Sequence, residues 1–424
     1  MSASSITVSK TSAGIPVVVE NIPGSQSAAF MVGVATGSRD ENPAIFGLSH
    51  LLEHTVFRET ETRNSYQMAK EIEGAGGELN AFTGREMTAF YGITIKETAG
   101  VAMDIVGDIV ANPKINEEDT ELEKKIVLQE LSMIRDEPDS YIRDLFESTL
   151  WRGHPLEQDE GGDDKIVAGL TSSDLREYYE DRYRIPNLAV YAAGSIDVDD
   201  TVRWAEETLD GMSGGKRNPR SPPQIPASEY RFVKGDADHC QVAMGFPAYG
   251  SDHRDRTAVT MLSALLGMGT SSRLFQDVRE KKALVYSIYT TVSQNSDASS
   301  LTTYMSCTDR NVIESMETVA DVISKLLSDG LEEGELERTK RLVKGANVRG
   351  MESTSRRLYR LGVNHMLNGS VHTLEERLAA IDAVTEDDVM RVAEDLLRGD
   401  RLNTVVLGKG NREIKNYDAS ALSL

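Results

Sequence analysis

Seven histidines are spread over 424 residues, and two of them stand four positions apart in Gly47-Leu-Ser-His-Leu-Leu-Glu-His-Thr-Val-Phe57. On a helix, residues at i and i+4 share a face, with Cβ atoms roughly 5–6 Å apart. The imidazoles of His50 and His54 can therefore meet on one divalent cation, and a zinc ion takes nitrogen ligands so arranged. Glu53 follows His50 by three positions and shares that face. It can reach a water activated by a metal without ligating the metal, as a general base must. This His-x-x-Glu-His order is the reverse of His-Glu-x-x-His. The same spacing also occurs in helices that bind nothing, so the pair needs a third ligand. The other histidines, His154, His239, His253, His365 and His372, form no second pair at ligand spacing.

Catalytic zinc usually has three protein ligands and one open position. A carboxylate to complete the set is offered by Glu121-Leu-Glu-Lys-Lys-Ile-Val-Leu-Gln-Glu-Leu-Ser-Met133. Glu123 and Glu130 are seven apart and share a helix face, beside an expected apolar stripe of Ile126, Val127 and Leu131. A carboxylate there is costly to bury unless it is paired or bound to a metal. The pattern alone leaves open which glutamate turns inward, and whether both stay in solvent.

The elements that must hold these groups read as a duplicated unit. Ser213-Gly-Gly-Lys-Arg-Asn-Pro-Arg-Ser-Pro-Pro-Gln-Ile-Pro226 can continue neither a helix nor a central strand. It divides an N-terminal domain, 1–212, from a C-terminal domain, 229–424, with a linker at 213–228. The strand expected at Met31–Gly37 is echoed at Ala243–Gly250, with Gly33 answered by Gly245. Glu121-Leu-Glu and Glu335-Leu-Glu each read as a helix start. Thr171 and Thr385 each read as an N-cap. A strand follows each: Leu188-Ala-Val-Tyr-Ala-Ala and Leu402-Asn-Thr-Val-Val-Leu. The offsets all fall between 212 and 214, and the order of elements predicts an α+β fold made of two homologous α/β units. The second copy has Leu262 and Leu266 where the first has the histidines, and Lys344 where it has Glu130.

Bulk composition narrows the function classes. With 39% hydrophobic and 27% charged residues the chain reads as globular. A formal net charge of −22 repels nucleic acid and anionic lipid, so neither a nucleic-acid nor a membrane partner is expected. Two cysteines, Cys240 and Cys307, cannot build a disulfide framework. The first twenty residues lack a basic stretch followed by an apolar run, and a cytoplasmic location is expected.

Taken together, four segments resemble the pitrilysin-type (M16, inverzincin) zinc metallopeptidases, in particular a prokaryotic branch related to mitochondrial processing peptidase. They are His50-Leu-Leu-Glu-His-Thr-Val-Phe57, Gly76-Gly-Glu-Leu-Asn-Ala-Phe-Thr83, Glu123-Lys-Lys-Ile-Val-Leu-Gln-Glu130 and Ser272-Arg-Leu-Phe-Gln-Asp-Val-Arg-Glu-Lys-Lys-Ala-Leu-Val-Tyr286. The resemblance covers nearly the whole chain. It implies His50, His54 and Glu130 as ligands of one Zn2+ per chain, and Glu53 as general base. Glu123 would support the site from behind. Asn80 and Ala81 would lie on a substrate-binding edge strand. Arg279 and Tyr286 would be a substrate- and oxyanion-binding pair from the inactive second domain. The family plan further implies a clamshell enclosing a cavity, peptide substrates and a homodimer. The resulting expectation is a metalloendopeptidase acting on short or unfolded peptides; the competing one is a non-catalytic peptide-binding or scaffold subunit of the same family. Two places depart from the family pattern: Glu59 replaces a usual glycine in Phe57-Arg-Glu-Thr60, and Glu157-Gln-Asp-Glu-Gly-Gly-Asp-Asp164 forms an unusually acidic loop.

Overall fold

A computed structural model describes residues 5–217, 219–418, 422 and 424. The described residues form two compact units, each discontinuous in sequence. The first comprises the chain through Leu131, Gln158–Arg220 and Val348–Thr373; the second comprises Ser132–Glu157, Ser221–Asn347 and Leu374 onward. The Gly/Pro-rich segment is thus divided at Arg220. That side chain is anchored in the first unit by hydrogen bonds to both Asp40 carboxylate oxygens (3.0 and 2.6 Å) and to the Glu86 carbonyl (2.8 Å).

The first unit is built on β1 (Ser5–Lys10), β2 (Pro16–Asn21), β3 (Ser27–Val34), β4 (Glu78–Thr83), β5 (Thr88–Ile95) and β6 (Leu188–Gly194). Their order in the sheet is β1-β2-β6-β3-β5-β4, and only β2 and β6 run parallel. The second contains β7 (Glu229–Lys234), β8 (Cys240–Tyr249), β9 (Val285–Gln294), β10 (Ala298–Cys307) and β11 (Asn403–Gly408). Their order is β7-β11-β8-β10-β9, with β7 and β11 parallel. Leaving out β1, the two sheets share one topology. The register repeats as well: Gly33 stands opposite Ala89 and Ala189, and Gly245 opposite Thr302 and Asn403.

Strand alternation sends successive side chains to opposite faces, and in both sheets both faces are apolar. In β2, Val17 and Val19 join one core, while Val18 joins the core on the other side. The first core is closed by helix Leu48–Val56 and by helix Ala99–Ala111, whose Ile105, Val106, Ile109 and Val110 are fully buried. The second is closed by helix Thr354–Asn368 through Leu358 and Leu361, and the Arg360 guanidinium of that helix meets Glu20 of β2 at 2.7 Å. The second sheet is served reciprocally: helix Pro138–Leu150, from the first half of the sequence, lays Ile142, Leu145 and Phe146 on it. Each unit is therefore completed by a helix from the opposite half of the sequence.

Local signals account for most of the boundaries. Thr171 and Thr385 cap helices Ser172–Arg182 and Glu386–Leu396, each in a reciprocal capping box with an aspartate three residues on. Three expectations need correcting. Helix Glu117–Asp136 begins one turn before Glu121, helped by the acidic first turn Glu117-Glu118-Asp119, which suits the positive end of the helix dipole. Strand β3 ends at Val34. Ile126 is 42% exposed, so of the three residues of the expected stripe only Val127 and Leu131 are buried.

Candidate metal centre

His50 and His54 lie on helix Leu48–Val56, one turn apart, because Leu51, Leu52, Thr55 and Val56 bury the opposite face. Their rings are perpendicular with centroids 4.8 Å apart. Glu130 approaches from helix Glu117–Asp136, whose Val127 and Leu131 fix its rotation by packing in the same core. Glu130 Oε2 is 3.5 Å from His54 Nε2 and 3.9 Å from His50 Nε2. The three donor atoms lie within 4.8 Å of one another, the only such group of three or more His, Cys, Asp or Glu among the described residues. Two imidazoles and a carboxylate converging on one point form a donor set that suits zinc.

Glu123, seven residues before Glu130, is 5% exposed and turns inward. Its Oε2 lies 3.1 Å from His54 Nδ1. A carboxylate can only accept, so Nδ1 carries the hydrogen and Nε2 keeps its lone pair for a metal. Arg58 holds Glu123 from the other side at 3.5 Å and also reaches Asp119 at 3.4 Å. Burial, the largest influence on His54, disfavours its charged form; the hydrogen bond to Glu123 and the charges of Glu53, Glu123 and Glu130 outweigh it and raise its pKa. His50, buried and beside His54, is held down at about 4.

Glu53 projects beside these three groups and accepts a hydrogen bond from the Thr83 hydroxyl at the end of β4. Burial raises its pKa, against the opposing effect of that bond. Its orientation by a threonine of the edge strand was not legible in the sequence. Among the described residues β4 is hydrogen-bonded to β5 only, so its other side is an open edge. Asn80 and Ala81 both lie on it, and the Ala81 N–H is taken by the Asn80 side-chain oxygen at 2.8 Å. The turn into β4 needs its glycines. Gly76 has φ +68°, and a Cβ on Gly77 would stand 2.5 Å from the Ile93 carbonyl oxygen.

A further carboxylate, unmarked by any motif, lies at the helix start. The N-cap of Leu48–Val56 is Gly47, in the left-handed region (φ 94°), which has no side chain to cap with. Glu41 replaces it: its Oε2 accepts from Gly47 N–H at 2.8 Å and its Oε1 from Ser49 N–H at 2.6 Å. Ser49 Oγ meets Tyr178 OH at 2.7 Å, and Tyr178 OH meets Thr36 Oγ1 at 2.9 Å. Burial pushes the Glu41 carboxyl up to about 7. The two departures from the family pattern prove to be absorbed locally. Glu59 pairs with Lys114 at 3.1 Å. In the acidic loop, Asp159 accepts the Gly162 N–H, Asp163 caps helix Asp164–Gly169, and Glu160 pairs with Arg85.

Arg279 and Tyr286 belong to the second unit. The Arg279 guanidinium lies 4.7 Å over the Phe275 ring. Tyr286, near the start of β9, is 60% exposed, with its ring 4.7 Å from that of His239. The counterparts of the metal-site residues are occupied differently: Leu262 and Leu266 are buried in the core, and Lys344 pairs with Asp382 at 2.7 Å.

Comparison with known proteins agrees over most of the chain. A family model described as Insulinase (Peptidase family M16) matches residues 16–163, and one described as Peptidase M16 inactive domain matches residues 169–343. An uncharacterized zinc protease of Mycobacterium tuberculosis is 34% identical over 400 residues, covering 93% of this chain and 91% of that protein. One of Bacillus subtilis is 31% identical over 402 residues, covering 94% and 97%. Among solved structures, a protease from Helicobacter pylori superposes with TM-score 0.88 at 20% identity, over 96% of this chain and all of that one. A peptidase M16 inactive domain from Pseudomonas fluorescens does so with TM-score 0.89 at 18% identity, over 96% and 98%. Among the described residues, no helix is long and apolar enough to cross a membrane.

Proposed function

The chain belongs to peptidase family M16, and on that premise we propose that it is a zinc-dependent endopeptidase acting on short or unfolded peptides, with His50, His54 and Glu130 as ligands of one zinc per chain. The observation that carries this reading is the convergence of those three donor atoms, from two helices distant in sequence, within 4.8 Å. Its relatives are named zinc proteases.

Zinc in such a site supplies a Lewis acid that polarises a peptide carbonyl and makes a nearby water acidic at neutral pH. The chain's own groups do the rest. Glu53 takes the proton of the attacking water and passes it to the leaving amine; its raised pKa brings it nearer to neutrality, where a group that must both accept and donate works best. Thr83 fixes the Glu53 carboxylate by donating to it. Glu123 fixes the tautomer and the ring of His54. The open edge of β4 receives the peptide as an added strand, main chain to main chain, which tolerates many side chains. Asn80 then releases the Ala81 N–H to the substrate. Arg279 is assigned to the substrate backbone and Tyr286 to the developing oxyanion, on the strength of the family pattern.

Cleavage of an unfolded peptide library tests this. The purified chain should cut it, and both a chelator and Glu53→Gln should stop cutting, the variant while retaining zinc. Peptide binding without hydrolysis would make the chain a binding subunit. Cutting that survives Glu53→Gln would remove that residue from its role.

A further inference from the structure

The two histidines are held by different means. His54 is oriented through its own ring, by the hydrogen bond from Nδ1 to Glu123. His50 has no such support: its Nδ1 is buried and lacks a hydrogen-bond partner among the described residues. A ligand imidazole is ordinarily oriented through its second nitrogen. The direction of the His50 ring must therefore come from the backbone that carries it and from packing.

That backbone is the first turn of helix Leu48–Val56, where four N–H groups have no partner within the helix. Glu41 takes two of them, those of Gly47 and of Ser49, the residue immediately before His50. The Glu41 side chain is itself 5% exposed, and Tyr178 holds the Ser49 hydroxyl from a third element. We propose that Glu41 is the positioning residue of His50: a buried carboxylate that sets the first helical turn, and so aims the imidazole that no side chain aims directly. It does for His50, through two main-chain N–H groups, what Glu123 does for His54 through the ring. This inference rests on the assignment of His50 as a zinc ligand.

The test measures zinc affinity of the metal-free protein by competition with a chromogenic chelator, the absorption spectrum of the Co2+-loaded protein, and the melting temperature. Glu41→Ala should weaken zinc binding by about 10–100-fold, the range found when groups behind a ligand are removed. It should also alter the cobalt spectrum, because one ligand is displaced. Glu41→Gln keeps one acceptor for one of the two N–H groups and should lose less, about threefold to tenfold, as for one hydrogen bond. A merely structural role would lower the melting temperature and leave both affinity and spectrum unchanged in the folded protein; that result overturns the proposal. Should Glu41→Ala not fold, Glu41→Gln decides: wild-type affinity with an unaltered cobalt spectrum overturns the proposal, and weakened binding supports it. Wild-type protein that binds no zinc would instead refute the function proposed above.

Discussion

Two sheets with one topology and one register carry different chemistry. In the first unit, the helix that follows β3 presents His50 and His54 at the edge of its core, and a second helix brings Glu130 to them. In the second unit, the helix after β8 buries Leu262 and Leu266 at the matching places, and Lys344 joins Asp382 in an ion pair. The scaffold survives the exchange because a helix needs only one apolar face to dock on a sheet. What a site demands in addition is a set of polar groups held without water. The first unit supplies these in layers: Glu123 and Arg58 behind His54, Thr83 behind Glu53, Glu41 under the helix start. Such a fold is inherited cheaply, whereas the candidate metal centre draws on polar side chains absent from the matching places of the second unit.

The sharpest way to break the contrast is at Glu53. Glu53→Gln should lower peptide cleavage by about 10²–10⁴-fold, the usual worth of a general base, with zinc content unchanged. Lys344→Glu, at the place of Glu130 in the second unit, should change zinc content not at all, since Leu262 and Leu266 offer no nitrogen beside it. Metal analysis alongside peptide turnover reads both. Zinc gained by the second unit would mean that its scaffold, and not its side chains, had been sufficient.

A smaller effect is expected behind the ligands. Glu123→Gln should weaken zinc binding by about 10–100-fold near neutral pH. It should also shift the pH dependence, because the hydrogen bond to Glu123 is the foremost influence raising the His54 pKa. In the wild type a proton competes for His54 to higher pH than at an ordinary histidine; in the variant that competition moves to lower pH. The metal-free protein offers a second readout. With its pKa raised, His54 contributes stability that is full below its ordinary 6.5 and is lost as pH rises through its folded value. His50, held at about 4, acts oppositely: stability falls as pH drops from 6.5 toward 4. Melting curves against pH should show the His54 contribution shrink in Glu123→Gln and the His50 contribution persist.

How much of this was legible in the residues depends on distance along the chain. The His50/His54 pair, the Thr171 and Thr385 caps and the duplicated strands were readable, because helical and strand periodicities act over a few residues. The choice between Glu123 and Glu130 was open on pattern alone; it needed the rotation of helix Glu117–Asp136, which Val127 and Leu131 settle by packing and to which Ile126 contributes nothing. Glu41 was invisible, since an N-cap is sought beside its helix and this carboxylate returns from across a turn. Nor did the Ser213–Pro226 break tell of the exchanged helices: Pro138–Leu150 and Thr354–Asn368 are ordinary amphipathic helices, and periodicity does not say which sheet each will cover.

The second unit can be probed directly. Leu266→His would place an imidazole in a dry core, at the position that matches His54 of the first unit. Leaving that polar ring unpaired should cost about 1–3 kcal/mol, read as a fall in melting temperature with no metal gained.

The gentlest test concerns the edge of β4. The Ala81 N–H points away from the β5 ladder and is occupied by its neighbour Asn80, as an open edge requires if it is not to pair indiscriminately. Ala81→Pro removes that donor while leaving the ladder to β5 its other bonds. If a substrate strand takes this N–H, KM should rise about threefold to tenfold, the worth of one hydrogen bond, with kcat and zinc content little changed. An unchanged KM would mean that peptides reach the metal without adding to β4. The difference between the two sheets would then lie in their metal ligands alone, with no share for their edges.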